Sequence, residues 1–403
     1  MTELLAPAGD LEKLKIAILY GADAVYLGGR HFGLRAGAGN FEHDELVEGV
    51  QFAHTYGARV YVTVNIFAHN PDLELIPDYL ASIVEAGVDG VIMSDPGFVD
   101  LTRTLYPNLP VHLSTQANTT NWASARFWSG LGVSRIVLAR ELSLAEIKEI
   151  SQRVQIDLEV FVHGAMCMAY SGRCLLSNYL TGRDANRGDC AQSCRWQYAL
   201  QEEKRPGEYF PVEEDARGTY ILSSRDLCLL EHIPELVGAG VKSFKIEGRM
   251  KSANYVAGVV KAYRAALDAY KKDPPSYRFE PAWLEAIGKV SHRNYTTGFM
   301  FGSPGASGQH YGTGIYQRSH TFAGLVRGYE PGTGLALVEQ RNRFAVGDLL
   351  EVLVPGGSDF IQKVAKIIDD AGRLVEAAPH PRQLVQVPFD RPVPPYSIIR
   401  KIV

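Results

Sequence analysis

The chain has 403 residues, 46% of them hydrophobic and 21% charged, and a formal charge of −4. This is the balance of a soluble globular protein long enough for two or three domains. The negative charge argues against a protein that coats nucleic acid indiscriminately, because phosphate contacts need a positive field, although local basic patches remain open. No apolar run approaches a membrane span, and no basic segment followed by an apolar one opens the chain. The expectation is a cytoplasmic protein with no membrane partner.

In chain order, short β-branched runs recur at 3–9, 24–29, 59–65, 90–95, 111–117, 135–140 and 158–164, with helical patterns between them. Runs apolar on both faces suit strands of a buried parallel sheet. LEKLKIAILYG puts Leu11, Leu14, Ile18 and Leu19 on one stripe and ends at Gly21, a helix stop. Ser143 and Glu146 make a capping-box pattern before another helix.

The seventh strand runs directly into a Gly- and Arg-rich loop, 166–196, that holds Cys167, Cys174, Cys190 and Cys194 in the pattern C-x6-C-x15-C-x3-C. Four thiols in one loop can form disulfides, hold zinc or hold an iron–sulfur cluster. A reducing compartment disfavours disulfides. Zinc sites usually pair cysteines two to four residues apart, whereas iron–sulfur ligation tolerates wider spacing. Cys228 stands in a helical pattern as a small apolar packing residue.

Residues 197–220 read as a hairpin excursion turning at Lys204–Gly207. ILSS (221–224) reads as an extra strand, and SFKIEG (243–248) as the eighth of the buried type, followed by a helix at about 252–272. Eight β–α units predict an α/β fold: a closed (β/α)8, TIM-like barrel over 1–272, with the cysteine loop as an insertion. An open doubly wound sheet is the alternative, but APAGDL after the first strand is not G-x-G-x-x-G. A connecting segment spans 273–321. From 322 to 403, short strands with Gly and Pro turns predict a small C-terminal β-barrel.

The barrel reading puts chemistry at the C-terminal strand ends, above an apolar barrel. Those ends carry Arg30, Asn65, Gln116, Arg140, His163, Glu247 and Arg249. The cysteine loop should therefore cap this ring. Basic stretches at 173–195 and 242–251 lie beside it and read either as solvated segments or as a path for a phosphate backbone.

The stretch from Glu159 to Ser177 matches E-x-F-x-x-G-A-M-C-x4-G-x-C-x-L-S at each fixed position. It resembles the signature of the collagenase-like peptidases, peptidase family U32, and the likeness continues through 186–196, 223–264 and 291–302. Despite the family name, the resemblance implies hydroxylating enzymes with a 4Fe-4S cluster. These modify the tRNA wobble uridine, a 23S rRNA cytidine or ubiquinone precursors without molecular oxygen. It places the cluster on Cys167, Cys174, Cys190 and Cys194, and it links the tRNA branch to prephenate.

The expectation drawn from it is hydroxylation of the tRNA wobble uridine to 5-hydroxyuridine. Hydroxylation of rRNA cytidine is the nearest alternative, and the quinone branch resembles this chain less around CAQSCRW. A peptidase reading finds no G-x-S-x-G and no H-E-x-x-H in its support. A non-catalytic binding or assembly factor is the remaining class.

For single residues, His163 reads as a general acid or base, or simply as a hydrogen-bonded rim residue. Glu247 and Arg249 read as catalytic groups or as a rim ion pair. Arg30, Arg140 and Arg249 offer forks for a small dicarboxylate, with Asn65 and Gln116 as further substrate contacts. Tyr170 and Trp196 are placed to stack on a base. Arg183 and Arg187 are placed for an RNA backbone.

Overall fold

The structure, a computed structural model, describes residues 2–35, 39–167, 169–196, 200–201, 209–210, 214–215, 218–219, 224–302 and 319–403. Seven parallel strands follow in order: β1 (Glu3–Pro7), β2 (Ala24–Leu27), β3 (Arg59–Val64), β4 (Gly90–Met93), β5 (Val111–Leu113), β6 (Arg135–Val137) and β7 (Asp157–Ala165). The eighth, β13 (Val241–Ile246), pairs in parallel with both β1 and β7 and closes the barrel. Helices α1 (Leu11–Leu19), α2 (His43–Thr55), α3 (Asn70–Glu85), α4 (Pro96–Leu105), α5 (Trp122–Gly130) and α6 (Leu144–Arg153) alternate with the first seven strands. The Ser143–Glu146 capping box forms as the sequence predicts.

The insertion after β7 contains one short helix, α7 (Leu176–Thr181). Two small antiparallel ladders follow, β8 (Leu200–Gln201) with β9 (Tyr209–Phe210) and β10 (Glu214–Asp215) with β11 (Gly218–Thr219). The expected turn at 204–207 lies outside the described residues. The extra strand is β12 (Asp226–Cys228), antiparallel to β7 and a few residues beyond the expected ILSS, of which 221–223 also lie outside. Helix α8 (Ile233–Gly238) leads into β13, and α9 (Ala253–Lys272) follows it.

Side-chain alternation along the strands sorts the cores. Leu4 and Ala6 face the helix layer, while Leu5, Ala24, Tyr26, Tyr61 and Ile92 pack as a separate small cluster. The barrel is not apolar throughout, contrary to the sequence reading. Buried Glu3, Arg135, Glu159 and Lys245 share a network: Arg135 to Glu3 at 2.5 Å, Arg135 to Glu159 at 3.2 Å and Lys245 to Glu159 at 2.8 Å. Such charges are tolerated inside only when paired.

The C-terminal domain is an antiparallel eight-stranded sheet around its own core. Its first strand spans His320–Glu330, and no ladder joins the two edge strands among the described residues. The expected small barrel is thus a wrapped sheet in its pairing. The domain is seated on α1 and α9. Tyr20 donates to the Leu353 carbonyl at 2.7 Å, and Arg400 Nε donates to Asn254 at 2.5 Å. Gly258 sits in the middle of α9 because a Cβ there would strike the Arg400 guanidinium. No helix among the described residues is long and apolar enough to cross a membrane.

Candidate active site

The C-terminal strand ends meet at a mouth built around Glu247 and Arg249, which follow β13. Arg249 is buried; it donates from Nη1 to Thr63 at 3.1 Å and from Nη2 to Asn40 at 2.8 Å. Gly28 is required beneath it, since a Cβ there would overlap the guanidinium. Its Nε has no partner among the described residues. Burial lowers the Arg249 pKa to about 10.

Glu247 accepts a 3.2 Å hydrogen bond from Tyr26. Arg35 and Arg140 stand 3.7 and 3.9 Å from its carboxylate, beyond hydrogen-bond range, so their donors are not consumed by it. Burial works to raise the Glu247 pKa, but Arg35, Arg140, Arg249 and the Tyr26 hydroxyl outweigh it and hold the carboxyl below its ordinary value. Arg140 also lies 3.8 Å over the Phe161 ring, which fixes its plane. Three guanidiniums therefore face one carboxylate in a mouth that leaves Arg35 partly exposed. Excess charge of this kind attracts an anion.

The cysteine loop lies over this mouth and is tied down by hydrogen bonds within it and to the strand ends. Asn186 accepts from the Cys174 amide at 3.1 Å and donates to its carbonyl at 3.0 Å. Ser177 donates to the Arg183 carbonyl at 2.8 Å and accepts from the Ala191 amide at 3.0 Å. Ser171 joins Asn118 at 2.7 Å, and its amide donates to Glu141 at 2.8 Å. Arg173 donates to the Gln116 carbonyl at 2.7 Å. Asn65 donates to Gln116 at 3.3 Å and accepts from Leu34. Asn65 and Gln116 thus join the loop to the ends of β3 and β5.

None of the four loop cysteines is in a disulfide; Cys167 and Cys190 are exposed, Cys174 and Cys194 half-buried. The Cys190 sulfur accepts the Gln192 amide at 3.4 Å. Burial opposes the charge on Arg35, but Glu247, Tyr26, Cys190 and Cys167 together raise its pKa, so both exposed thiols act on a guanidinium of the mouth. Among the described residues, no three His, Cys, Asp or Glu side chains converge on one metal-sized point. The donor set fits an iron–sulfur cluster in chemistry, being all thiol and all in one loop. Its four sulfurs are not drawn together.

Other sequence candidates fall elsewhere. His163 is enclosed by the rings of Tyr255, Tyr263 and Tyr295 at 5.9, 5.6 and 5.3 Å, and neither ring nitrogen has a partner among the described residues. Burial pushes its pKa to about 3. It sits neutral behind the barrel wall, away from the open mouth that the strand-end position suggested. Arg187 is committed to α3, donating to Asp72 at 2.8 and 3.1 Å and to the Phe67 carbonyl at 2.9 Å. It clamps the loop and has little left for phosphate. Arg183 pairs with Asp189 at 2.7 Å on the surface, and exposed Arg30 pairs with Glu42. Tyr170 and Trp196 are about half exposed on the loop. Cys228 is buried against the Tyr263 hydroxyl, and burial pushes its thiol up to about 11.

Comparison with known proteins adds a second line. The model of peptidase family U32 matches residues 9–310, and that of the family's C-terminal domain matches 318–400. The chain is 46% identical over 400 residues to the tRNA hydroxylation protein P1 of Bacillus subtilis, covering 99% of this chain and 94% of that one. It is 41% identical to the tRNA hydroxylation protein P of Escherichia coli, covering 88% and 87%. The 23S rRNA 5-hydroxycytidine C2501 synthase of Escherichia coli is 40% identical over 74% of this chain and 45% of its own. A solved U32 peptidase structure aligns over 62% of this chain and 94% of that one, at 18% identity and a TM-score of 0.41. Motif, family models and relatives agree over both domains, and the chain belongs to peptidase family U32.

Proposed function

We propose that this protein hydroxylates RNA, converting the wobble uridine of tRNA to 5-hydroxyuridine with a 4Fe-4S cluster and a small dicarboxylate, prephenate, in the mouth. The observation that carries this reading is the pairing of four loop thiols with three guanidiniums around one carboxylate. The likeness to tRNA hydroxylation proteins over nearly the whole chain names the substrate class.

Cys167, Cys174, Cys190 and Cys194 would hold the cluster, the exposed Cys167 and Cys190 closing toward the clamped Cys174. When bound, the cluster supplies one-electron chemistry at thiolate-held iron. Arg249 Nε and the unspent donors of Arg35 and Arg140 bind the carboxylates of the dicarboxylate. Glu247, kept ionised, holds the three guanidiniums apart and in place. The loop over the mouth excludes water, which strengthens each of these contacts. Replacing C5–H of uridine by C5–OH is a two-electron oxidation that needs an oxygen donor and a two-electron acceptor from outside the chain, and the cluster would pass those electrons one at a time.

Mass spectrometry of nucleosides from a deletion strain tests the reading. The 5-hydroxyuridine derivatives of tRNA should vanish and return with wild type but not with Cys190→Ala. Their persistence in a strain with no second such enzyme would reject the tRNA assignment, and loss of hydroxycytidine from rRNA would replace it with the other RNA. Casein cleavage by purified holo-protein, abolished by one substitution outside the four cysteines, would restore the peptidase reading.

A further inference from the structure

The cysteine loop carries a concentration of exposed apolar side chains. Tyr170, Leu175, Tyr179, Leu180 and Trp196 all lie within 170–196, with Tyr179 85% and Leu175 75% exposed. Single exposed hydrophobics are ordinary, but a group of them beside a functional site marks a binding surface. The loop does not leave them outside for want of order. Ser177, on the opposite side of α7, is buried and bonded to both Arg183 and Ala191, so the helix has one fixed inner face. Leu175 and Tyr179 are four residues apart and share the outer face. α7 begins two residues after the clamped Cys174.

We propose that the outer face of α7 is a stacking surface for unpaired RNA bases that flank the target nucleotide, with Tyr179 as its main contact. This rests on the RNA hydroxylation reading above and specifies how that RNA is held. Three features favour bases over an apolar protein partner. The large exposed rings are Tyr179, Tyr170 and Trp196, and every base offers them a π-face. Arginines border the helix on both sides: Arg173, anchored to the Gln116 carbonyl at the mouth, and Arg183, paired with Asp189 on the surface. The charge of Arg173 suits a backbone between stacked bases. The surface also adjoins the thiols over the mouth, so a strand entering it must first be single-stranded and splayed, as in an RNA loop. Stacking reads shape more than sequence, so the helix would position the loop and leave choice of the base to the mouth.

Binding of an unmodified tRNA transcript to the full-length holo-protein, measured by fluorescence anisotropy at one fixed salt concentration, tests the proposal. Tyr179→Ala should weaken binding about 10-fold, the scale of one lost base–aromatic stack, while Tyr179→Phe stays within about twofold. Iron content should be unchanged in both variants. Wild-type protein irradiated with 4-thiouridine-substituted tRNA should crosslink within 170–196. Wild-type affinity in Tyr179→Ala, or crosslinks that avoid this segment, would overturn the proposal and leave RNA hydroxylation standing. A dimer that dissociates in Tyr179→Ala with RNA binding intact would assign the face to a second copy of the chain and overturn it as well. No tRNA binding by wild type would remove the hydroxylation reading itself.

Discussion

The two ends of the barrel hold charge differently. Toward the N-terminal ends of the strands, buried Arg135 and Lys245 meet Glu3 and Glu159 at 2.5–3.2 Å, cation for carboxylate. A cleft of about 180 Å3 opens there and is lined by Arg135, His112, Arg59 and Asp157. At the C-terminal mouth, Arg35, Arg140 and Arg249 face Glu247 alone, and two of them stand off it by 3.7 and 3.9 Å. A balanced network is a structural element. An unbalanced one, with Arg35 41% exposed, is open to a counter-charge from solution.

The comparison breaks most sharply at the balanced end. Glu159→Gln leaves Arg135 and Lys245 short of a buried carboxylate and should cost about 3–5 kcal/mol in chemical denaturation. Activity per folded molecule should change little. Arg140→Met at the mouth should cost less than about 1 kcal/mol, because it removes a cation that the fold does not neutralise. Equal losses in the two variants would erase the distinction.

Next in size is Arg249→Ala. It should lower kcat/KM for tRNA hydroxylation about 100-fold, the scale of one preorganised charged donor. Iron content should stay at the wild-type level. Arg249→Lys should recover only part of the loss, since a lysine cannot reproduce the fork.

A smaller effect separates the loop from the barrel. Asn186→Ala removes both bonds that hold Cys174 and should cost about 1–3 kcal/mol. Its cluster should also be lost faster in air than that of wild type, followed by visible absorption. Cys228→Ala should leave the cluster unchanged.

The last effect is felt only in acid and is small near neutral pH. His163 binds its proton only near pH 3 in the folded chain, but near 6.5 when unfolded. Between those values the unfolded state holds the extra proton, so folding stability falls as pH falls from about 6.5 toward 3. His163→Phe should reduce that slope by about 1.4 kcal/mol per pH unit. The remaining slope includes His112, which burial also pushes to about 3. An unchanged slope would mean that His163 is solvated or paired in solution.

Much of the barrel was legible in the sequence because buried parallel strands must be short apolar runs: β1 to β6 lie within the runs read as strands, and β7 exceeds its run by one residue at each end. The cysteine set was legible from composition and motif alone. What escaped is what depends on distant parts of the chain. Nothing local in the sequence shows that Arg135 and Lys245 come to meet Glu3 and Glu159. Arg35 lies in the loop after β2, more than two hundred residues from Glu247, and only barrel closure joins them. Asn186 resembled any polar loop residue until its amide was seen to clamp Cys174 at both ends. His163 was misplaced because strand-end position does not say which side of the wall a ring takes after a register shift, and β13 and β7 have one beside it.

The most direct test of the mouth as an anion site is calorimetric titration of the anaerobic holo-protein with prephenate. Wild type should bind one equivalent with an affinity that falls as salt rises, and Arg249→Ala should bind at least about 10-fold more weakly. Absence of binding to wild type, or equal binding to Arg249→Ala, would contradict the account.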